Sequence, residues 1–288
     1  SAAAAASRTP TGKVPAAVSV LSIVEHPSLD ALRDGLHDEL KDAGYQDGKS
    51  LHWAYQSAQG NQGTAVQIAR KFVGDRPDVI VPIATPAAQA VVSATHQIPV
   101  VYNAITDPIA AQIVKSMAPS GTNVTGVSDK LVADRQVAFI KRVVPDVKRV
   151  GIIYSPAEAN SVSATREMKV ALEKQGISLV EVAAPRSIDV GQAAQRLVGK
   201  VDVIYTSNDN NVISAYESVI KVANAAKIPL ICADRSSVQR GATGAMAIDY
   251  YRMGRQTGRM VLRILNGEKP GDIASETSDR LDITLNLD

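Results

Sequence analysis

The sequence is poor in several residue types from which functional sites are commonly built. It has one cysteine, Cys232, so no intrachain disulfide can form and a cysteine-based zinc cluster is excluded. Cys232 stands inside the apolar run from Ile228 to Ala233 and reads as a small buried core residue. Aromatic residues are scarce, with 2 Phe, 1 Trp and 8 Tyr, so few flat apolar walls are on offer. No stretch approaches the ~20 apolar residues that span a bilayer. Neither sign of charge dominates, because 31 Lys and Arg against 29 Asp and Glu leave a net +2, which favours neither a nucleic-acid surface nor an acidic tail. The first strand-to-helix turn holds Glu25-His26-Pro27-Ser28 where a dinucleotide site needs glycines, and no Walker loop, G-x-S-x-G elbow or H-E-x-x-H pair occurs. No cofactor and no metal is expected.

What is present fits a soluble globular chain, with 45% hydrophobic and 21% charged residues over 288 positions, long enough for two domains of ordinary size. Residues 1–13 are low in complexity and read as a disordered segment, either the start of an exported protein whose signal peptide has been removed or a cloning remnant.

The stretch from Val201 to Tyr216 organises the rest. Val201, Val203, Ile204 and Tyr205 form a β-branched and aromatic run, which predicts a buried parallel strand. Thr206 to Asn211 is a polar crest, after which Ile213, Tyr216, Val219, Ile220 and Ala223 recur at helical spacing. The same strand, polar turn and helix occurs from Asp78 to Val92. Each copy is followed by a matching strand, Ile98 to Val101 and Ile228 to Ile231. Val18 to Gly44 and Val150 to Gly176 also match one another. Two similar α/β lobes follow, with polar crests at strand ends as candidates to face each other across a cleft. Within the first lobe, Leu29, Leu32, Leu36 and Leu40 make one helical stripe. Thr85 is placed at a helix N-cap and Pro86 at the first helical position. The segment around Gly121 to Asp129 carries the first crossing between lobes.

Six motifs recur in order: Glu25-His-Pro-Ser-Leu-Asp, Ala84-Thr-Pro-Ala-Ala-Gln, Ile105-Thr-Asp-Pro, Asn123-Val-Thr-Gly-Val-Ser-Asp, Tyr154-Ser-Pro-Ala-Glu-Ala-Asn and Thr206-Ser-Asn-Asp-Asn. Together, from about Val14 onward, they resemble the ABC-transporter substrate-binding proteins of the tryptophan-binding TrpX type. That resemblance implies a type I periplasmic-binding-protein architecture, with two Rossmann-like lobes, parallel sheets and a three-crossover hinge that closes on a small ligand. The lobes are then discontinuous, 14–126 with 250–272 and 127–249 with 273–288. It also implies an exported, monomeric, periplasmic protein that hands an amino acid, with an aromatic one favoured, to the permease subunits of an importer. No nucleic acid and no direct membrane insertion enter this reading.

An α-amino acid needs donors for its carboxylate and an acceptor for its ammonium. Thr85 and the N–H groups after it, beside Pro86, suit the carboxylate, and Thr106 with neighbouring Asp107 lies on the next crest. For the ammonium, Asp209 is the first choice and Asp249 the second, and Asp209→Ala is expected to spare the fold while weakening binding. The plainer reading of Thr85 and Asp209 alike is helix capping. His26 reads as a pocket donor or a structural loop residue, since a lone His makes a poor metal site. Ser155, Asn160, Ser207 and Asn208 complete the candidate set as crest hydroxyls and amides, for which turn chemistry is the bland alternative. Tyr154, Tyr205, Tyr250 and Tyr251 could wall an aromatic pocket, although strand alternation must turn some away.

Two other classes compete. An enzyme on the same fold would need an acid/base pair assembled from scattered Asp and His. A sensor domain of a receptor or regulator would be expected to carry a further module, such as a DNA-binding helix-turn-helix ahead of the first strand.

Overall fold

Short β-branched runs alternating with amphipathic stretches fold into two α/β units, each around a six-stranded sheet. The computed structural model describes residues 8–279 and 281–286. Unit 1 begins with β1 (Ala16–Ser22), α1 (Pro27–Asp42), β2 (Leu51–Ser57), α2 (Gln62–Asp75), β3 (Val79–Ile83), α3 (Thr85–Ala94), β4 (Val100–Asn103) and β5 (Val124–Ser128). Unit 2 follows with α4 (Ala133–Val143), β6 (Arg149–Tyr154), α5 (Ala159–Glu173), β7 (Ser178–Ala183), α6 (Val190–Leu197), β8 (Val203–Thr206), α7 (Asn210–Ser214), α8 (Tyr216–Ala226), β9 (Leu230–Asp234), α9 (Arg235–Arg240) and β10 (Gly244–Ile248). The chain then returns to unit 1 for α10 (Tyr250–Leu265) and β11 (Glu276–Thr277), and ends in unit 2 with β12 (Leu281–Leu285).

Unit 1 comprises Ser1–Asp129 and Tyr250–Asp279, and unit 2 comprises Lys130–Asp249 and Arg280–Asp288. The second change of unit lies between Asp249 and Tyr250. The first and third fall later than 126 and 272, for a local reason. β5 continues to Ser128, and β11 joins the same sheet by pairing with β5 before the chain leaves. Residues 8–13, expected to be disordered, are tied down instead: Thr11 Oγ1 donates to Asn266 Oδ1 at 3.1 Å and the Lys13 N–H to the Leu265 carbonyl at 2.8 Å. Residues 1–7 lie outside the described residues.

The unit 1 sheet runs β11-β5-β4-β3-β1-β2 and its pairings are parallel. Helices cover both faces of a parallel sheet, which is why every residue of β3, β4 and β5 is buried. The α1 leucines at 29, 32, 36 and 40 are all buried, as their spacing requires. The neighbouring helix, α10, approaches α1 through glycine. A Cβ on Gly35 would stand 2.0 Å from the Tyr251 carbonyl oxygen, and one on Gly254 would stand 2.1 Å from that of Leu32. No side chain fits there.

The unit 2 sheet repeats the order as β12-β10-β9-β8-β6-β7, with β12 antiparallel to β10. One face packs on α6 and α8 through Val190, Leu197, Tyr216 and Val219, and the other on α4 and α5 through Phe139, Ile140, Met168 and Leu172. Cys232 is fully buried in the first of these clusters, and burial holds its thiol well above the usual range. Among the described residues no helix is long and apolar enough to cross a membrane.

Candidate functional site

In a parallel sheet the chain reverses its direction of growth at one point, and the loops leaving the two strands there diverge to form a natural ligand crevice. In unit 1 that point lies between β1 and β3, and in unit 2 between β6 and β8. The loops after these four strands carry eight of the predicted residues: His26, Thr85 and Pro86 in unit 1, and Ser155, Asn160, Ser207, Asn208 and Asp209 in unit 2.

In unit 1, His26 is the N-cap of α1, and its Nδ1 accepts from the Leu29 N–H at 3.5 Å. Thr85 is not the cap of α3, as expected, but its first residue. The cap is Ala84, whose side chain offers no hydrogen bond. Ala84 adopts φ 76° and ψ 159°, a region populated almost solely by glycine. Its N–H donates to the Asn103 carbonyl at 2.9 Å, and this bond fixes the β3 crest against the β4 crest. The strained turn leaves the N–H groups of Thr85 and Ala87 without intrahelical acceptors and Thr85 itself 6% exposed.

After β4 a second non-glycine residue, Ala104, sits at positive φ (53°). Thr106 then donates through Oγ1 to Asp129 Oδ1 at 3.2 Å, while Asp107 Oδ1 accepts from the Ala110 N–H at 2.9 Å and so caps its own turn. Asp129 is a residue the sequence reading missed. It is buried, directly follows β5 at the first crossing, and takes its second bond from the Tyr250 hydroxyl at 2.8 Å, from the residue that opens α10 at the second crossing. Burial raises its pKa and the two hydroxyls oppose that rise. Tyr250→Phe is therefore expected to cost about 2 kcal/mol, the worth of a hydrogen bond to a charged group, measured by urea denaturation. An unchanged midpoint would show that Asp129 does not depend on this donor.

In unit 2 the residues converge on Asp209. Its carboxylate is fully buried and accepts from four donors: the Ser155 N–H at 2.8 Å, Ser155 Oγ at 2.9 Å, Ser161 Oγ at 2.6 Å and the Val212 N–H at 3.0 Å. Asp209 caps α7 and locks the β6 crest to the β8 crest. With each oxygen taken twice it has no capacity left for a ligand ammonium, which corrects the first choice for that role. Ser155 is corrected likewise, being 1% exposed with its Oγ donating to Asp209 and accepting from Asn211 Nδ2 at 3.0 Å.

Around this hub lie groups less completely used. Asn160 Nδ2 donates to the Asn208 carbonyl at 3.2 Å and to Glu158 Oε2 at 3.5 Å. Glu158 Oε2 also accepts from the Asn210 N–H at 3.2 Å, and burial, followed by repulsion from Asp209, pushes its pKa up to about 7. Ser207 Oγ and Asn208 Oδ1 are buried with no hydrogen-bond partner, and such orphans in a folded protein call for a functional explanation. Asp249 is half-buried at the second crossing, beyond β10, which β9 and β8 separate from β6 in the sheet.

The tyrosines divide. Tyr205 is buried in the core on β8, and Tyr251 donates to Asp38 on α1 at 2.7 Å, so neither is a crest residue. Tyr154 ends β6 half-buried. Among the described residues no group of three or more His, Cys, Asp or Glu is placed to hold a metal ion.

The comparisons with known proteins agree with one another. The family model described as ABC transporter substrate binding protein matches residues 17–288. A curated tyrosine-binding protein of Clostridioides difficile is 39% identical over 271 residues, which cover 94% of this chain and 79% of that protein. A crystal structure of a conserved domain protein from Vibrio cholerae is 48% identical with a TM-score of 0.91, covering 95% of this chain and 92% of that one. The crystal structure of an ABC domain from Streptococcus pneumonia in complex with L-Trp is 35% identical with a TM-score of 0.89, over 94% and 92% of the two chains.

Proposed function

The chain belongs to the family of ABC transporter substrate-binding proteins, and from that premise we propose that it binds a free aromatic amino acid outside the cytoplasm and delivers it to the permease subunits of an importer. The observation that carries the reading is the division of chemistry between the two switch-point crests. The unit 1 crest offers the first-turn N–H groups of α3, with the positive end of that helix, and the Thr85 hydroxyl, all suited to a carboxylate. The unit 2 crest offers the Glu158 carboxylate and the orphaned Ser207 and Asn208 oxygens, which are suited to an ammonium. The aromatic preference rests on the relatives, one named for tyrosine and one solved with L-Trp. Binding without catalysis accounts for these groups, since a ligand that favours the closed state by its differential affinity is signal enough for a transporter.

A thermal-shift panel of the twenty amino acids, sugars and polyamines on ligand-stripped protein tests the reading. A ligand at about 100 times its Kd stabilises the folded state by about 2.7 kcal/mol, so Trp, Tyr or Phe is expected to raise the melting temperature by several degrees. A rise confined to Leu, Ile or Val would keep the class and refute the aromatic preference. No rise with any amino acid would overturn the proposal.

A further inference from the structure

We propose that Glu158 is the group that receives the ligand's ammonium, and so the residue by which this protein selects a free α-amino acid over the same molecule without its amino group. The inference rests on the amino-acid reading above. The sequence favours Asp209 for this role, but Asp209 spends all its acceptor capacity on Ser155, Ser161 and Val212. Glu158 spends less. Its Oε2 accepts from the Asn210 N–H and from Asn160 Nδ2, the Asn211 N–H also donates to the carboxylate, and among the described residues no Lys, Arg or His pairs with it.

The electrostatics point the same way. Glu158 is partly desolvated and lies close enough to the Asp209 carboxylate to be repelled by it. A half-buried carboxylate beside a second one, with no ion-paired Lys, Arg or His on either among the described residues, is poised for a cationic donor. A second, independent sign comes from the neighbouring loop. Asn160 joins Glu158 to the Asn208 carbonyl, and on that loop the Ser207 hydroxyl, 4% exposed, and Asn208 Oδ1 have no partners. An ammonium carries three donors, one for the carboxylate and two for such oxygens.

Binding an ammonium requires the ionised carboxylate, so below the raised pKa the ligand must first expel a proton. Affinity therefore falls with acidification. The sign for the ligand-free protein is opposite. A carboxyl whose pKa is raised on folding favours the folded state at low pH and loses that contribution as pH rises through about 7.

The test is calorimetric titration of wild type and E158Q with L-Trp and with indole-3-propionate, its desamino analogue, or the matching L-Tyr pair if the panel favours tyrosine. E158Q is expected to bind the amino acid at least about tenfold more weakly and the desamino acid within about threefold of wild type. Wild-type affinity for the amino acid should fall between about pH 8 and about pH 5.5, approaching tenfold per unit below the midpoint, while the E158Q profile stays flat. Gln keeps an acceptor for the Asn210 N–H and removes a charge beside Asp209, so the variant should melt no lower than wild type at about pH 8. Equal amino-acid affinity in both proteins, or an equal loss for both ligands, overturns the inference alone. Failure of wild type to bind any amino acid overturns the reading beneath it and the inference with it.

Discussion

Replacing Gly254 by alanine is expected to destabilise the protein by about 2–4 kcal/mol, although the same change normally strengthens a helix by up to about 1 kcal/mol. The two terms oppose each other and geometry decides between them. A Cβ at this position meets the Leu32 carbonyl oxygen at 2.1 Å and the Leu36 nitrogen at 2.9 Å, both backbone atoms of α1. Backbone cannot rotate aside as a side chain can, so α1 and α10 must separate and give up packing along their length. Gly74 near the end of α2 provides the control, since nothing lies within 4 Å of its position and its φ is not positive. Gly74→Ala is expected to stabilise by about 0.5–1 kcal/mol through the unfolded state. Urea denaturation of the two variants should move the midpoint in opposite directions. If both rose, helix propensity would outweigh the clash and the close helix contact would not matter to stability. The contact has a wider role, because α10 brings the chain back to unit 1 after the whole of its first passage through unit 2.

Asp209→Ala is expected to cost roughly 3–5 kcal/mol of stability, with any loss of ligand affinity following from the displaced crest. Removing the carboxylate strands the Val212 N–H and two serine hydroxyls in a site water does not reach, and leaves the Ser155 N–H only its bond to Ser161 Oγ. Each stranded donor carries a penalty of about 1–3 kcal/mol, and the hydroxyls can recover part of theirs by rotating. Asp209→Asn retains one acceptor oxygen and should cost about half as much. The neutral side chain also removes the repulsion on Glu158, so the pH midpoint of ligand binding should move down. Thermal melts and titration calorimetry separate the outcomes. A variant with unchanged melting temperature and at least about tenfold weaker binding would return Asp209 to direct ligand contact. Lower stability with near-normal affinity in the fraction that stays folded is the expected result.

The periodic elements were legible from residues alone. The β-branched run at Val203 to Tyr205, the leucine stripe of α1 and the duplicated strand-turn-helix pattern each report contacts between near neighbours, and each element lies where its pattern predicts. The duplicated pattern also located the crests, because the polar residues that end a buried strand are the ones its sheet presents at the switch point. Elements without periodicity escaped. α9 has no apolar stripe and owes its start to Asp234, which gathers the Ser237 N–H and the Ser236 and Ser237 hydroxyls. The expected single helix after Asn211 is broken at Ala215, and the two-residue β11 exists only because β5 offers it an edge.

At the crests the sequence by itself determined which residues stand there, and the tertiary structure decided what each is free to do. Thr85 looks like a cap, yet the cap is an alanine held at positive φ with its N–H on the Asn103 carbonyl. Asp209 and Glu158 are both acidic residues at helix starts, and nothing in their neighbours along the chain ranks one above the other. Ser155 and Ser161 reach Asp209 from 54 and 48 residues away, and Tyr250 reaches Asp129 from 121 away. Local spacing encodes which face of an element is apolar. Whether a carboxylate is already satisfied or left desolvated and waiting for a cation depends on donors that only packing brings together.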